Sequence, residues 1–255
     1  MLRLRSIVFD IVFYGGTAAL LLLCSPLLLG PRSWAMAALR AHAHASLWAL
    51  RVIVGCKIEV RGREHLPSGA YLIAAKHQSS WDTFALIPIF PDPALVMKDE
   101  LGWIPVYGWF ALKFGNILVK RGRAAVALKT MIKDAQDRAA QGRQILIFPE
   151  GTRRTPGAAP DYKPGVIALY EGLGLPCVPL ALNSGLYWPR RHLLRYPGTI
   201  IVEILEALPP GLPRATFKRE LEQRIETASR RLLAEAAQQA SAPPLPELAI
   251  DGKNP

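Results

Sequence analysis

Seven short apolar runs set the fold this chain can adopt. After Gly55 the sequence reads CKIEV, AYLIAA, ALVMK, NILVKR, QILIFP, CVPLAL and TIIVEIL, with turns and longer helical stretches between them. Several runs are apolar without alternation, so both faces of those strands must be covered. The clearest intervening helix, residues 124–141, puts Ala124, Leu128, Met131, Ile132, Ala135 and Ala139 on one face before Gly142 closes it. A charged helix from Thr216 carries Phe217, Leu221, Ile225 and Leu232 on one side. Buried strands alternating with helices predict an α/β fold with a largely parallel central sheet flanked by helices.

Ahead of these runs lie two apolar segments that predict an N-terminal helical membrane motif. Residues 7–29 are nearly unbroken hydrocarbon, interrupted by Asp10, Gly15-Gly16 and Pro26; a bilayer core needs roughly 20 such residues. A secretory signal is the rival reading of MLRLR and the apolar run behind it. No small-residue cleavage site comes cleanly after that run, which favours a retained anchor with Arg3 and Arg5 on the cytoplasmic side. In residues 33–54, at about 100° per residue, Ser33, Arg40, His44 and Arg51 fall within about 40° of one another. Such a cationic stripe suits a helix at a membrane interface, with arginines reaching headgroups. A buried core helix is the alternative. The expected organisation is membrane-associated helices over residues 1–55, an α/β domain over 56–240 and a loose, proline-rich tail over 241–255.

Composition narrows the partners. The net charge of +11 prefers phosphate or an anionic membrane face. With no arginine-rich arm or nucleic-acid motif in the chain, lipid phosphate ranks above DNA or RNA. Three scattered cysteines, Cys24, Cys56 and Cys177, fit neither a disulfide framework nor a zinc site and point to a reducing compartment. No metal-ligand motif such as H-E-x-x-H is present.

The strand ends carry the chemistry, as α/β folds require. AYLIAA runs into Lys76-His77-Gln78-Ser79-Ser80-Trp81-Asp82, and NILVK ends in Arg121. QILIF leads to Pro149-Glu150-Gly151-Thr152-Arg153, and CVPLAL to Asn183-Ser184-Gly185. A carboxylate on one ring nitrogen of His77 would fix its tautomer and free the other nitrogen as a base. The competing reading is a locally bonded histidine with Asp82 capping the next helix. Ser79 and Ser80 lack a Gly-x-Ser-x-Gly elbow and read as turn-formers. In FPEGTRR, Gly151 permits a tight turn, Arg153 can bind two phosphate oxygens, and Glu150 can hold an arginine or accept from a substrate hydroxyl. Arg154 reads as a solvated surface charge.

In order along the chain, KHQSSWD, GNILVKR, FPEGTR and CVPLALNSG resemble the four blocks of the glycerolipid acyltransferase family, over about residues 62–204. The subgroup they look most like is the bacterial 1-acyl-sn-glycerol-3-phosphate acyltransferases. The resemblance implies acyl transfer from acyl-CoA or acyl carrier protein, as donor substrate rather than cofactor, to a lysophosphatidic acid hydroxyl. It implies His77 as general base and Asp82 as its orienter. Arg121, Glu150, Gly151, Thr152 and Arg153, joined by Lys98, would bind the acceptor phosphate; Val178, Pro179 and Leu180 would lie on the acyl-donor side and in the sheet packing. It implies membrane lipid as partner and the cytoplasmic face of the inner membrane as location. Lys76 and Lys120 depart from the usual family residues and are expected to add positive charge near the phosphate. Glycerol 3-phosphate, a lyso-ornithine lipid or another lysophospholipid are alternative acceptors. A membrane-bound thioesterase or lipase and a non-catalytic phospholipid-binding protein are the readings from other classes.

Overall fold

The computed structural model describes residues 1–120, 124–239 and 243–245. Arg121 and most of the expected tail therefore lie outside the described residues. The elements are helices α1 (Leu2–Leu23) and α2 (Arg32–Ala49), strands β1 (Cys56–Arg61) and β2 (Leu72–Ala75), then α3 (Asp82–Ala85) and β3 (Pro93–Lys98). Next come α4 (Tyr107–Lys113), β4 (Ile117–Val119), α5 (Ala124–Ala139), β5 (Gln144–Ile147) and α6 (Pro164–Leu173). The chain closes with β6 (Cys177–Leu182), α7 (Ser184–Tyr187), β7 (Gly198–Ile204) and α8 (Arg214–Ala237). A single turn of π-helix, Leu50–Val54, extends α2 to Gly55, whose φ of 85° ends it.

The seven runs pair into one sheet in the order β1-β7-β6-β2-β5-β3-β4. All neighbours are parallel except β6 and β7, so β1 and β7 run against the other five. The unbroken apolar character of β2 has its cause here: every residue of it is buried, because helices cover both faces. Ile73, Ala75, Leu146, Val178 and Leu180 pack on one side with Phe9, Met36, Ala43 and Leu50 from the N-terminal segment. Leu72, Ala74, Ile145 and Ile147 face the other side, under Met131 and Ala135 of α5, Ile167 of α6, and Phe217, Leu221 and Ile225 of α8.

The N-terminal helices thus cover one face of the sheet. In α1, Phe9 meets the Trp188 ring edge-on at 5.2 Å and Phe13 lies 5.0 Å from the Phe84 ring. Asp10, the lone acid in the apolar run, pairs with the buried Arg195 at 3.1 Å, and Ser6 accepts the Arg195 backbone N–H at 2.9 Å. Thr17 and His42 join α1 to α2 at 3.0 Å, giving His42 a role its sequence position does not reveal. The opposite face of α1 exposes Leu4, Ile7, Val8, Ile11, Val12, Leu22 and Leu23. The cationic stripe of α2 is broken at Arg40, which turns inward onto the carbonyls of Phe90 and Pro91. Ser33, His44 and Arg51 remain exposed. Both sequence readings of α2 describe it in part, since Ala35, Met36, Ala43, Ser46 and Ala49 are buried while Trp34 and Trp48 are exposed.

Because Phe9 fills a site against the body, Phe9→Ala should cost about 3–5 kcal/mol. Ile11→Ala, on the free face, should stay within about 0.5 kcal/mol. Thermal unfolding of both variants in the same detergent micelles checks the difference; equal losses would mean α1 is not docked through Phe9.

Candidate active site

Five parallel strands bring their carboxyl ends to one edge of the sheet, and the chemistry-bearing residues lie just past those ends. His77 is two residues beyond β2, Glu150 three beyond β5, and Ser184 two beyond β6. Lys98, the last residue of β3, pairs with Val119 of β4 and is exposed at the same edge.

His77 and Asp82 are joined directly, with Nδ1 2.9 Å from Oδ2. That oxygen also accepts the backbone N–H groups of Gln78 at 2.8 Å and Ser79 at 2.9 Å. An oxygen that gathers donors in this way assigns the proton to His77 Nδ1 and leaves Nε2 as the free basic nitrogen. Oδ1 accepts the Ser184 hydroxyl at 2.5 Å. Asp82 is fully buried and starts α3, but the cap position belongs to Trp81, so its carboxylate serves the turn and the histidine rather than the helix end. The imidazole lies flat on Phe148, ring centroids 4.0 Å apart, which fixes the remaining freedom of the ring. Ser79 Oγ accepts the Trp81 N–H and so builds its turn as expected, whereas Ser80 Oγ accepts from Arg153 Nη1 at 2.5 Å and ties this turn to the one after β5.

The turn after β5 is bent by Gly151 at φ 62°, which leaves Gly151 exposed and Thr152 and Arg153 half-buried. Arg154 departs from the solvated charge expected of it. Its N–H donates to the His77 carbonyl at 2.8 Å, and its mostly buried guanidinium meets Asp161 at 2.5 Å, so it ties this turn to the histidine. Val178, Pro179 and Leu180 are buried inside the sheet. Lys120 is exposed.

Lys76 does not enlarge the cationic surface. Its ammonium is buried between Glu150 Oε1 at 2.9 Å and Glu226 Oε1 at 2.7 Å, and Tyr162 donates to Glu226 at 3.0 Å. Glu150 therefore holds a lysine, not an arginine, and its Oε2 is buried without a protein partner. Burial pushes the Glu150 carboxyl above the ordinary carboxylate range; Lys76 pulls it back, and the net direction is upward. Stability from this group is present below the ordinary carboxylate pKa and falls as pH rises through the raised one. Glu150→Gln should remove that fall from a pH–stability profile. Glu226 comes from α8 and, like Tyr162, lies outside the four sequence blocks, so each is recognisable only from its contacts; Ser184 lies in the fourth block, but nothing there points to its bond with Asp82. Glu226 also borders a groove of about 520 Å³ lined by Lys218, Arg219 and Arg230, where the network reaches the surface.

A histidine fixed in one tautomer by a buried carboxylate, beside an arginine turn at the carboxyl edge of an α/β sheet, is equipped to draw a proton from a hydroxyl next to an anionic group. Comparison with known proteins gives this chemistry its class. The family model described as Acyltransferase matches residues 57–183. The chain is 38% identical over 190 residues to the 1-acyl-sn-glycerol-3-phosphate acyltransferase of Pseudomonas aeruginosa, covering 74% of each chain. It is 30% identical over 159 residues to the mouse (Mus musculus) 1-acyl-sn-glycerol-3-phosphate acyltransferase alpha, 61% of this chain and 56% of that one. In fold it matches the crystal structure of the 1-acyl-sn-glycerophosphate (LPA) acyltransferase PlsC from Thermotoga maritima with a TM-score of 0.77 at 20% identity, over 92% of this chain and 98% of that one. The chain belongs to the acyltransferase family, and it is an enzyme that moves acyl groups.

Removing the cation from the buried network should be severe: Lys76→Met leaves two facing carboxylates and should cost about 3–5 kcal/mol. Adding Glu226→Gln should recover part of the loss, as read from unfolding midpoints; a second substitution that only adds to the first would show the charges are not coupled.

Proposed function

We infer that this enzyme transfers a fatty acyl group from an acyl thioester, of coenzyme A or of acyl carrier protein, to the sn-2 hydroxyl of 1-acyl-glycerol 3-phosphate, forming phosphatidic acid. The observation that carries the reading is the His77–Asp82 pair held beside Arg153, which hydrogen-bonds Ser80 in the same turn. The named activity of the Pseudomonas relative supports the choice of acceptor.

The acceptor hydroxyl gives its proton to His77 Nε2 as its oxygen attacks the thioester carbonyl carbon. Asp82 stabilises the imidazolium that forms. The tetrahedral oxyanion collapses, the C–S bond breaks, and the imidazolium returns the proton to the leaving sulfur, giving ester and free thiol. No acyl-enzyme is required. Arg153, with Lys98 and Arg121, holds the acceptor phosphate, while Gly151 and Thr152 shape the turn.

The membrane side of the reading comes from α1. By length and composition it is apolar enough to cross a bilayer. Ser6, Phe9, Asp10, Phe13 and Thr17 bind it to the body, however, so we place it lengthwise in one leaflet with its free face in lipid. We put the enzyme at the cytoplasmic face of the inner membrane, the side on which Arg3 and Arg5 would hold the N-terminus, where amphiphilic substrate and product need not leave the headgroup layer.

The test is purified protein in detergent or bilayer with a long-chain acyl thioester and lysophosphatidic acid, tracking thiol and lipid together. Thiol release that requires acceptor and yields phosphatidic acid is the expected result. Acceptor-independent release would make the protein a thioesterase, and lipid binding without thiol release, unaffected by His77→Ala, would make it a binding protein. His77→Ala should lower turnover by about 10²–10⁴-fold, the usual contribution of a general base, while the protein stays folded.

A further inference from the structure

The loop between α7 and β7 carries cations that none of the four sequence blocks contains. Arg190 Nη1 donates to the Arg153 carbonyl at 2.9 Å, across 37 residues of chain. Arg153 in turn reaches Ser80, and Arg154 is bonded through its N–H to the His77 carbonyl, so Arg190 is linked to the histidine turn through Arg153. Arg154 is balanced by Asp161. Among the described residues, neither Arg153 nor Arg190 has a carboxylate within 4.0 Å. The Nε of Arg190 is buried with no protein partner. Arg191 beside it is held at φ 60°, a conformation non-glycine residues seldom adopt. Burial, then the charges of Arg191, Arg153 and Arg154, depress the Arg190 pKa from its ordinary value, in keeping with a cluster short of negative charge.

We propose that Arg190 is a second cation of the acceptor site, acting with Arg153 on the terminal phosphate, and that the pair selects lipids ending in a phosphate monoester over those with a phosphodiester headgroup. The assignment rests on lysophosphatidic acid being the acceptor. A monoester presents three oxygens and a charge of about −1.5 to −2 near neutral pH. A diester keeps two free oxygens and a single charge. Two forked guanidiniums match the first and are under-used by the second. The Arg153 carbonyl occupies only one of the five N–H donors of Arg190, which fixes the group while leaving others to bind.

The experiment compares wild type, Arg190→Ala and Arg190→Lys in two assays. The first measures thermal stabilisation by glycerol 3-phosphate, a soluble probe that needs no turnover. The second measures kinetics with lysophosphatidic acid and lysophosphatidylglycerol. Expected for Arg190→Ala are loss of the glycerol 3-phosphate shift and a KM for lysophosphatidic acid raised about ten-fold or more. The donor KM should not change, and the preference for lysophosphatidic acid over lysophosphatidylglycerol should shrink. Arg190→Lys keeps the charge but not the fork and should fall between; if Arg190→Ala does not fold, this variant decides. An unchanged acceptor KM and probe shift in a folded variant would overturn the proposal. So would losses in donor KM, acceptor KM and stability together, which mark a mere brace, or a wild type that the probe does not stabilise. An Arg190-dependent shift in a protein that fails to acylate lysophosphatidic acid would sustain the site and overturn the acceptor reading instead.

Discussion

The carboxylate of Asp82 is the point on which the site is built. A buried ion is tolerated only when its lone pairs are met, and here the Gln78 and Ser79 N–H groups, His77 and the Ser184 hydroxyl meet them. Those donors come from the end of β2 and the start of α7, so one group fixes the turn, the docking of the segment after β6 and the tautomer of the histidine. The geometry of the histidine and the local fold are therefore the same set of hydrogen bonds. A second set accompanies it, in which Lys76, the residue before His77, is tied to Glu150 and to Glu226 of α8. His77 and the turn after β5 are thus held from one side by the buried carboxylate of Asp82 and from the other by the buried ammonium of Lys76.

The N-terminal helices are as much a part of this fold as the helices on the far face. Without them Ile73, Val178 and Leu180 would have no cover. The same helices bear an exposed apolar surface, which α4 and the segment before it extend through Trp103, Ile104, Trp109 and Leu112. Lys113 of α4 donates to the Gly30 carbonyl, which sets that surface beside the turn between α1 and α2.

Much of this was legible in the sequence because it is local or periodic. The apolar runs gave the strands, the 3.6-residue pattern gave α5 and α8, and the spacing of His77 to Asp82 needed only one turn to become a contact. The place of Arg153 in the turn after β5 was legible because that turn follows a strand end. What escaped is what depends on distant partners. Lys76 read as extra charge at the phosphate site because its carboxylate partners lie 74 and 150 residues away. Arg154 read as solvated because Asp161 and the His77 carbonyl are brought to it by the fold. Asp10 looked like a flaw in a hydrocarbon segment, and only Arg195 explains it. Arg40 fell on a cationic stripe by helical phase, yet backbone carbonyls turned it inward.

The Asp10–Arg195 pair also sets an order of events during synthesis. The two residues are 185 positions apart, and Trp188, against which Phe9 packs, is nearly as distant. At about 5–20 residues per second on the ribosome, α1 is complete roughly 10–40 s before its docking site exists. β1 waits as well, since its partner β7 comes after the same loop. For that interval α1 has α2 to pack against through Thr17 and His42, but Asp10 lacks its ion-pair partner and Phe9 lacks Trp188. The first helix of the chain and the last strands of the sheet are thus completed together, so the covered face of the sheet closes only when synthesis is nearly done.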